Sequence, residues 1–205
     1  MRCRVLDKLQ TDTRDHCATA EAEALDFIAR CDHEGYRDFL VRSFGFETPL
    51  ESACVLTPGL ASHTATSRPR SRYIAQDLLD LGFAPEKLLE LDACRLSPFR
   101  DLSQALGWLY VAERNVVTNS LCHRQLAKLA PDLAARASYL NCYGAATEAR
   151  WHRFGLTLDR TAEQADPEQI TVAAVETFEL LLRWFEPVRH VPQPRRAAPA
   201  RSSAS

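Results

Sequence analysis

Apolar residues recur three and four positions apart along almost the whole chain, and strict alternation of apolar and polar residues is almost absent. That spacing places apolar side chains on one face of an α-helix, whereas a half-buried strand needs a period of two. The pattern therefore predicts an all-α fold. A long uninterrupted example is GWLYVAERNVVTNSLCHRQL, residues 107–126, in which Gly107 comes first and no further glycine occurs before Gly144. We predict one continuous amphipathic helix here.

The N-terminal part of the chain also has helical periodicity, in its first helix and in its third. In the first helix, apolar and small polar positions share one face, so the imidazole of His16 should point inward; these positions are Leu6, Leu9, Thr13 and His16. A third helix is predicted from Glu34 towards Cys54, where Gly45 and Pro49 could bend it.

The remaining elements are predicted from turn and capping residues. Residues 57–71, TPGLASHTATSRPRS, have the composition of a loop. The next helix, YIAQDLLDLG, should end at Gly82 with a glycine C-cap. The last helix begins at DPEQ, with Asp166 as N-cap, Pro167 in the first turn and Gln169 completing a capping box.

The C-terminal sequence differs in composition from the rest of the chain. From Pro187 onwards, PVRHVPQPRRAAPARSSAS contains four prolines, four arginines and no acidic residue. Such a segment cannot bury enough apolar surface to order itself. We therefore predict one helical domain over residues 1–187 and a disordered tail over residues 188–205.

Composition and charge narrow the class of protein. A chain of 205 residues with 46% hydrophobic and 25% charged residues is typical of one globular domain. Its formal net charge of −2 argues against nucleic acid or an anionic membrane as the main partner. The N-terminus lacks the apolar stretch of a secretory signal, and no run reaches the length of a membrane span. We expect a cytoplasmic protein.

Seven cysteines are scattered without a CxxC pair, which is typical of reduced, mostly buried thiols and not of a zinc site. Phosphate-binding loops, HExxH, GxSxG and dinucleotide-binding fingerprints are also absent. Few candidates for chemistry remain, and His16 is the most interesting of them. A neutral imidazole on an apolar helix face either ligates iron in a pocket that excludes water or forms an ordinary hydrogen bond in the core.

Several stretches together resemble the bacterial biliverdin-producing heme oxygenases, especially those associated with bacteriophytochromes. In the first stretch Thr13 precedes His16 by three residues, one fewer than in the L-x-x-x-T-x-x-x-H form of the motif. The others are GFETPLESA (45–53) followed by DLLDLG, the helix GWLYVAE, YGAATEARWHRF (143–154) and VETFELLLRWF near the C-terminus. They cover most of residues 4–186, and the resemblance implies a single-domain heme-oxygenase-like helical bundle.

The resemblance also implies a heme site. His16 corresponds to the proximal iron ligand, and the helix at 107–126 corresponds to the one over the distal heme face, where glycines let the backbone approach iron-bound oxygen. Here Arg114 stands at a usual glycine, and Thr118 and Asn119 stand at the glycine pair. The helix should therefore be straighter and the distal pocket tighter. Three outcomes are then open. The pocket accepts heme and Thr118 or Asn119 acts on bound oxygen, it binds heme without turnover, or the protein's own side chains fill it.

For a protein that accepts heme, the resemblance implies oxidative cleavage of heme to biliverdin, carbon monoxide and ferrous iron. Heme would be both cofactor and substrate, and an external electron donor would supply electrons. The propionates need cations or hydroxyls at the rim of the pocket, and the resemblance suggests Tyr143, Arg153 and Lys8 for them. Glu113 is either a surface charge or a buried partner of an arginine.

The alternative is a non-catalytic heme-binding or protein-interaction module on the same fold. The loss of the distal glycines favours it, whereas the presence of His16 and the aromatic residues of YGAATEARWHRF favours heme. A bacteriophytochrome or a kinase is then the candidate partner.

Overall fold

The computed structural model describes residues 4–58, 60 and 69–189. The predicted all-α fold is confirmed, because these residues form helices and turns and no strand. The helices are α1 (Arg4–Asp12), α2 (Arg14–Arg30), α3 (His33–Leu56), α4 (Ser71–Asp80), α5 (Leu102–Leu129), the short α6 (Pro131–Ala134), α7 (Thr147–Thr161) and α8 (Pro167–Arg189). No helix in this part of the chain is long and apolar enough to cross a membrane.

Helices α1 and α2 follow one another almost without a break. Thr13 separates them, yet its N–H donates to the Leu9 carbonyl at 2.9 Å and its own carbonyl accepts from the Cys17 N–H at 2.9 Å. The helical register therefore continues, so the two segments present the single apolar face that the sequence predicts.

Helix α3 contains a proline, and the fold compensates for it. Pro49 has no N–H, so the Gly45 carbonyl one turn earlier has no donor within the helix. The Cys94 N–H donates to this carbonyl at 2.8 Å from a crossing segment. A β-carbon on Gly45 would lie only 2.2 Å from the Asp92 carbonyl oxygen, so glycine is needed where the two backbones cross.

Helix α4 ends in the predicted glycine cap. Gly82 has a φ of +81°, which glycine adopts without strain. The Phe83 N–H donates to the Leu78 carbonyl at 2.9 Å, and the Gly82 N–H donates to the Leu79 carbonyl at 2.9 Å. This pair of bonds is a Schellman motif. The predicted loop at residues 57–71 lies largely outside the described residues.

Helix α5 is the central element and contains the predicted helix at 107–126 within one continuous span. It packs side by side with α8, and a β-carbon on Gly107 would come within 2.7 Å of both the Ala173 β-carbon and the Ile170 carbonyl oxygen. One apolar core lies between α1, the C-terminal half of α3, α5, α7 and α8, and a second lies between α2, the N-terminal half of α3, α4 and the C-terminal half of α5.

Helix α8 begins at the predicted cap, but the capping box differs from the prediction. Asp166 Oδ1 accepts from the Glu168 N–H at 2.9 Å and from the Gln169 N–H at 3.4 Å, which is one half of the box, whereas the Asp166 N–H donates to Ser103 Oγ at 3.0 Å and not to the Gln169 side chain. The helix continues through Pro187 to Arg189, past the predicted domain boundary at residue 187. Residues 190–205 of the predicted tail lie outside the described residues.

Candidate functional site

His16 lies on α2 with its ring partly buried. The ring stacks on Phe178 of α8, with 6.4 Å between centroids and 25° between planes. One turn earlier, the buried hydroxyl of Thr13 donates to the Leu9 carbonyl and lies 3.0 Å from the Tyr110 hydroxyl of α5. His16 therefore faces the bundle, as predicted, at the junction of α2, α5 and α8.

The positions at which the sequence resemblance leads us to expect distal glycines lie inside regular helix. No non-glycine residue in the described part of the chain has a positive φ, so α5 passes through Thr118 and Asn119 without a kink into left-handed backbone. Both residues are buried. Thr118 Oγ1 accepts from Arg114 Nη1 at 3.4 Å. Asn119 lies beside the Tyr139 phenol, whose pKa burial raises well above its usual range, but the buried amide Nδ2 of Asn119 has no hydrogen-bond partner among the described residues.

Arg114 occupies the space between α2 and α5. Its Nη2 donates to Glu21 Oε2 at 2.7 Å, and both side chains are mostly buried. Farther along the same two helices, Gln125 Nε2 donates to the Leu25 carbonyl at 3.3 Å. Together with the contact between Thr13 and Tyr110, these bonds join α2 directly to α5. Arg114 is thus the residue that fills this side of the helix.

The residues between α2 and α5 do not fit a heme in this arrangement. A flat ring with carbon contacts on both faces needs about 7 Å between the atoms on either side, twice the usual contact distance. The atoms that face one another across α2 and α5 are instead hydrogen bonded at 2.7–3.3 Å. A heme ligated by His16 under α5 would require the two helices to separate and these bonds to break.

The other predicted contacts of heme are dispersed. Lys8 is exposed on α1 and forms an ion pair with Asp12. Arg153 is exposed on α7. It lies on the side of the helix opposite Trp151, whose ring packs on the Tyr110 ring with 6.0 Å between centroids. Tyr143 lies beneath the Arg150 guanidinium at 4.1 Å. Among the described residues, no hydrogen bond, ion pair or ring contact joins Lys8, Tyr143 or Arg153 to His16.

A buried ion-pair cluster lies on another side of α5. Arg70, just before α4, donates through Nε to Glu47 Oε2 of α3 and through Nη1 to Glu113 Oε1 of α5, both at 3.0 Å. The side chains of Arg70, Glu47 and Glu113 are only 7%, 2% and 11% exposed. Tyr139 donates to the other oxygen of Glu47 at 3.2 Å. Glu113 is therefore the buried partner of an arginine, one of the two alternatives left open by the sequence.

The cluster joins α3, α4 and α5, and burial raises the pKa of Glu47 above its usual value, although Arg70 lowers it. Burial lowers the pKa of Arg70, but the two carboxylates outweigh it and hold that pKa above its usual value. Glu51, one turn after Glu47, accepts from the N–H groups of Arg70 and Ser71 and so caps the start of α4. Sequence analysis missed Arg70 because it lies in a segment with loop composition. The only available signal was two glutamates four residues apart within GFETPLESA.

The thiols near this cluster are protonated. Burial raises the pKa of Cys54 to about 12, and it raises that of Cys142 to about 12 as well, although Arg70 lowers both. Neither side chain is therefore a ready nucleophile or metal ligand. Among the described residues, no group of three or more histidine, cysteine, aspartate or glutamate side chains could hold a metal ion.

Comparisons with family models, with curated proteins and with solved structures found no match to this chain.

Proposed function

We propose that this chain is a non-catalytic protein-interaction module on a heme-oxygenase-like bundle. The observation that carries the proposal is the contact between Arg114 and Glu21, at 2.7 Å between α5 and α2. In the family that the sequence resembles, a glycine at the position of Arg114 leaves the heme face open. Here a long side chain fills that space and joins the two helices.

The surroundings of the two candidate catalytic residues support the same conclusion. Thr118 accepts from Arg114, so its hydroxyl takes part in the contact between helices. Asn119 faces Tyr139, next to the cluster of Arg70, Glu47 and Glu113. The resemblance makes a bacteriophytochrome or a kinase the candidate partner.

Heme binding is the second candidate function, and one observation favours it. Neither ring nitrogen of His16 has a hydrogen-bond partner among the described residues, which leaves the imidazole available as an iron ligand. Binding would require α2 and α5 to separate. Cleavage of heme to biliverdin with an external electron donor would in addition require a distal space that Arg114, Thr118 and Asn119 now fill.

A titration with hemin separates the two functions. We expect the wild-type protein to give no Soret band that depends on His16. The variants His16→Ala and His33→Ala form a matched pair, because His33 is exposed at the start of α3. A one-to-one Soret band lost in His16→Ala and kept in His33→Ala would overturn the proposal in favour of heme binding. Bleaching of that band with reductant and oxygen, leaving biliverdin absorbance, would show an enzyme.

The partner is tested on the heme-free protein. Binding to a purified bacteriophytochrome, followed by isothermal titration calorimetry without hemin, is expected under the interaction proposal. Binding that appears only after hemin is added would instead indicate a heme-dependent role.

A further inference from the structure

The outer face of α7, together with the 3-10 turn Gly144–Ala146 that precedes it, carries an exposed stripe with coiled-coil spacing. Ala145 and His152 are seven residues apart, and so are Ala149 and Leu156. Glu148 and Arg153 flank this seam. All six line one open groove of about 580 Å³. All are exposed except Leu156, which is partly buried. The opposite face of α7 packs into the core through Trp151 and Leu158.

The stripe has the pattern of a parallel pair of helices. Positions seven apart form the seam of such a pair, and charged residues flanking the seam contact residues five positions later on the other helix. Glu148 and Arg153 are five apart and opposite in charge. Two copies of α7 packed in parallel about a twofold axis would therefore form the pair Glu148–Arg153 twice. The small side chains of Ala145 and Ala149 would allow close approach.

We propose that this stripe on α7 and the turn before it, residues 145, 148, 149, 152, 153 and 156, is a self-association surface whose occupant is the same stripe of a second copy of this chain. Neither Glu148 nor Arg153 has an ion-pair partner among the described residues, so both charges are available for it. The surface does not depend on the proposed function, because it lies away from His16 and from the contacts between α2 and α5.

The dimer should be weak. Stable interfaces bury about 1,200–2,000 Å² in total, and a short stripe on one helix covers less than that. Sedimentation equilibrium of the full chain over a wide range of concentration is therefore the suitable measurement. We expect a reversible equilibrium between monomer and dimer.

Charge exchange tests the geometry. Glu148→Arg and Arg153→Glu each turn both symmetry-related attractions into repulsions, so each should weaken the dimer at least about tenfold. An equimolar mixture of the two single variants restores opposite charges at both pairs and should form a heterodimer. The double variant Glu148→Arg/Arg153→Glu should dimerise like the wild type.

Matched controls change the same charges elsewhere. Glu176→Arg on α8 and Arg124→Glu on α5 are exposed helix positions outside the stripe and should leave dimerisation unchanged. Far-ultraviolet circular dichroism checks that every variant folds. A wild-type protein that is monomeric at all concentrations would overturn the proposal, and so would a dimer that the single variants leave intact.

Discussion

Arg70 illustrates how one buried charge can hold several elements together. It comes just before α4 and contacts Glu47 of α3 and Glu113 of α5, both at 3.0 Å. Burying these groups costs solvation energy, which the pairing offsets only while all partners are present. Removing Arg70 would leave two carboxylates in the core without a counter-ion.

We therefore predict that Arg70→Met lowers the free energy of unfolding by about 3–5 kcal/mol, the usual cost of breaking a buried pair from one side. Urea denaturation followed by circular dichroism measures the loss. Arg72→Met is the matched control, because Arg72 is exposed and its side chain contacts only the neighbouring Tyr73 among the described residues, so its loss should stay below about 0.5 kcal/mol. Equal small losses in both variants would contradict a structural role for the cluster.

At the scale of elements, α3 depends on a second segment to complete it. Pro49 leaves the Gly45 carbonyl without a donor in the helix, and the Cys94 N–H supplies one at 2.8 Å. This bond requires the two backbones to touch. Gly45 and Pro49 thus act together within the stretch GFETPLESA, and the sequence indicated only that they could bend the helix.

We predict that Gly45→Ala lowers the free energy of unfolding by about 1–3 kcal/mol, as expected for an atom added to a packed site. The added β-carbon would lie 2.2 Å from the Asp92 carbonyl oxygen, which is backbone and cannot rotate away. Thermal unfolding measures the effect. Ser52→Ala, at an exposed position of the same helix, should change stability by less than about 0.5 kcal/mol. An equally stable Gly45→Ala variant would show that the crossing segment can move aside.

Most helices could be predicted from the sequence because their signals are local. The period of apolar residues, the Asp166 cap and the glycine cap at Gly82 each depend on a few neighbouring residues. The candidate site could be predicted only in part, because contacts between distant residues decide it. His16 faces the bundle as its helix position predicts, but only the fold shows that Arg114 reaches Glu21 and that Asn119 faces Tyr139.

At the scale of the whole molecule, the C-terminal helix connects the two cores. Phe178 and Phe185 of α8 belong to the core with α1, the C-terminal half of α3, α5 and α7, whereas Val188 belongs to the core with α2, the N-terminal half of α3 and α4. The ordered domain therefore extends beyond Pro187, where the change in composition placed its boundary. A proline near the end of an apolar periodic segment predicts that the helix ends there. Here the helix continues past Pro187, and Val188 still packs into the core.

Two shortened chains, one ending at Arg189 and one at Pro187, measure how much the last turn of α8 stabilises the domain. Val188 is 8% exposed, and burying a valine contributes about 1.5 kcal/mol or more. The chain ending at Pro187 should therefore unfold roughly 3–6 °C below the chain ending at Arg189, since 1 kcal/mol corresponds to roughly 2–4 °C at this size. Differential scanning calorimetry gives both melting temperatures. Both chains lack residues 190–205, so any contribution of that segment cancels.

Val188→Ala in the full chain is the matched substitution and should reproduce most of the difference, because it removes the same apolar contact without shortening the helix. Equal melting temperatures for the two shortened chains would mean that Val188 does not stabilise the domain and that its boundary lies at Pro187.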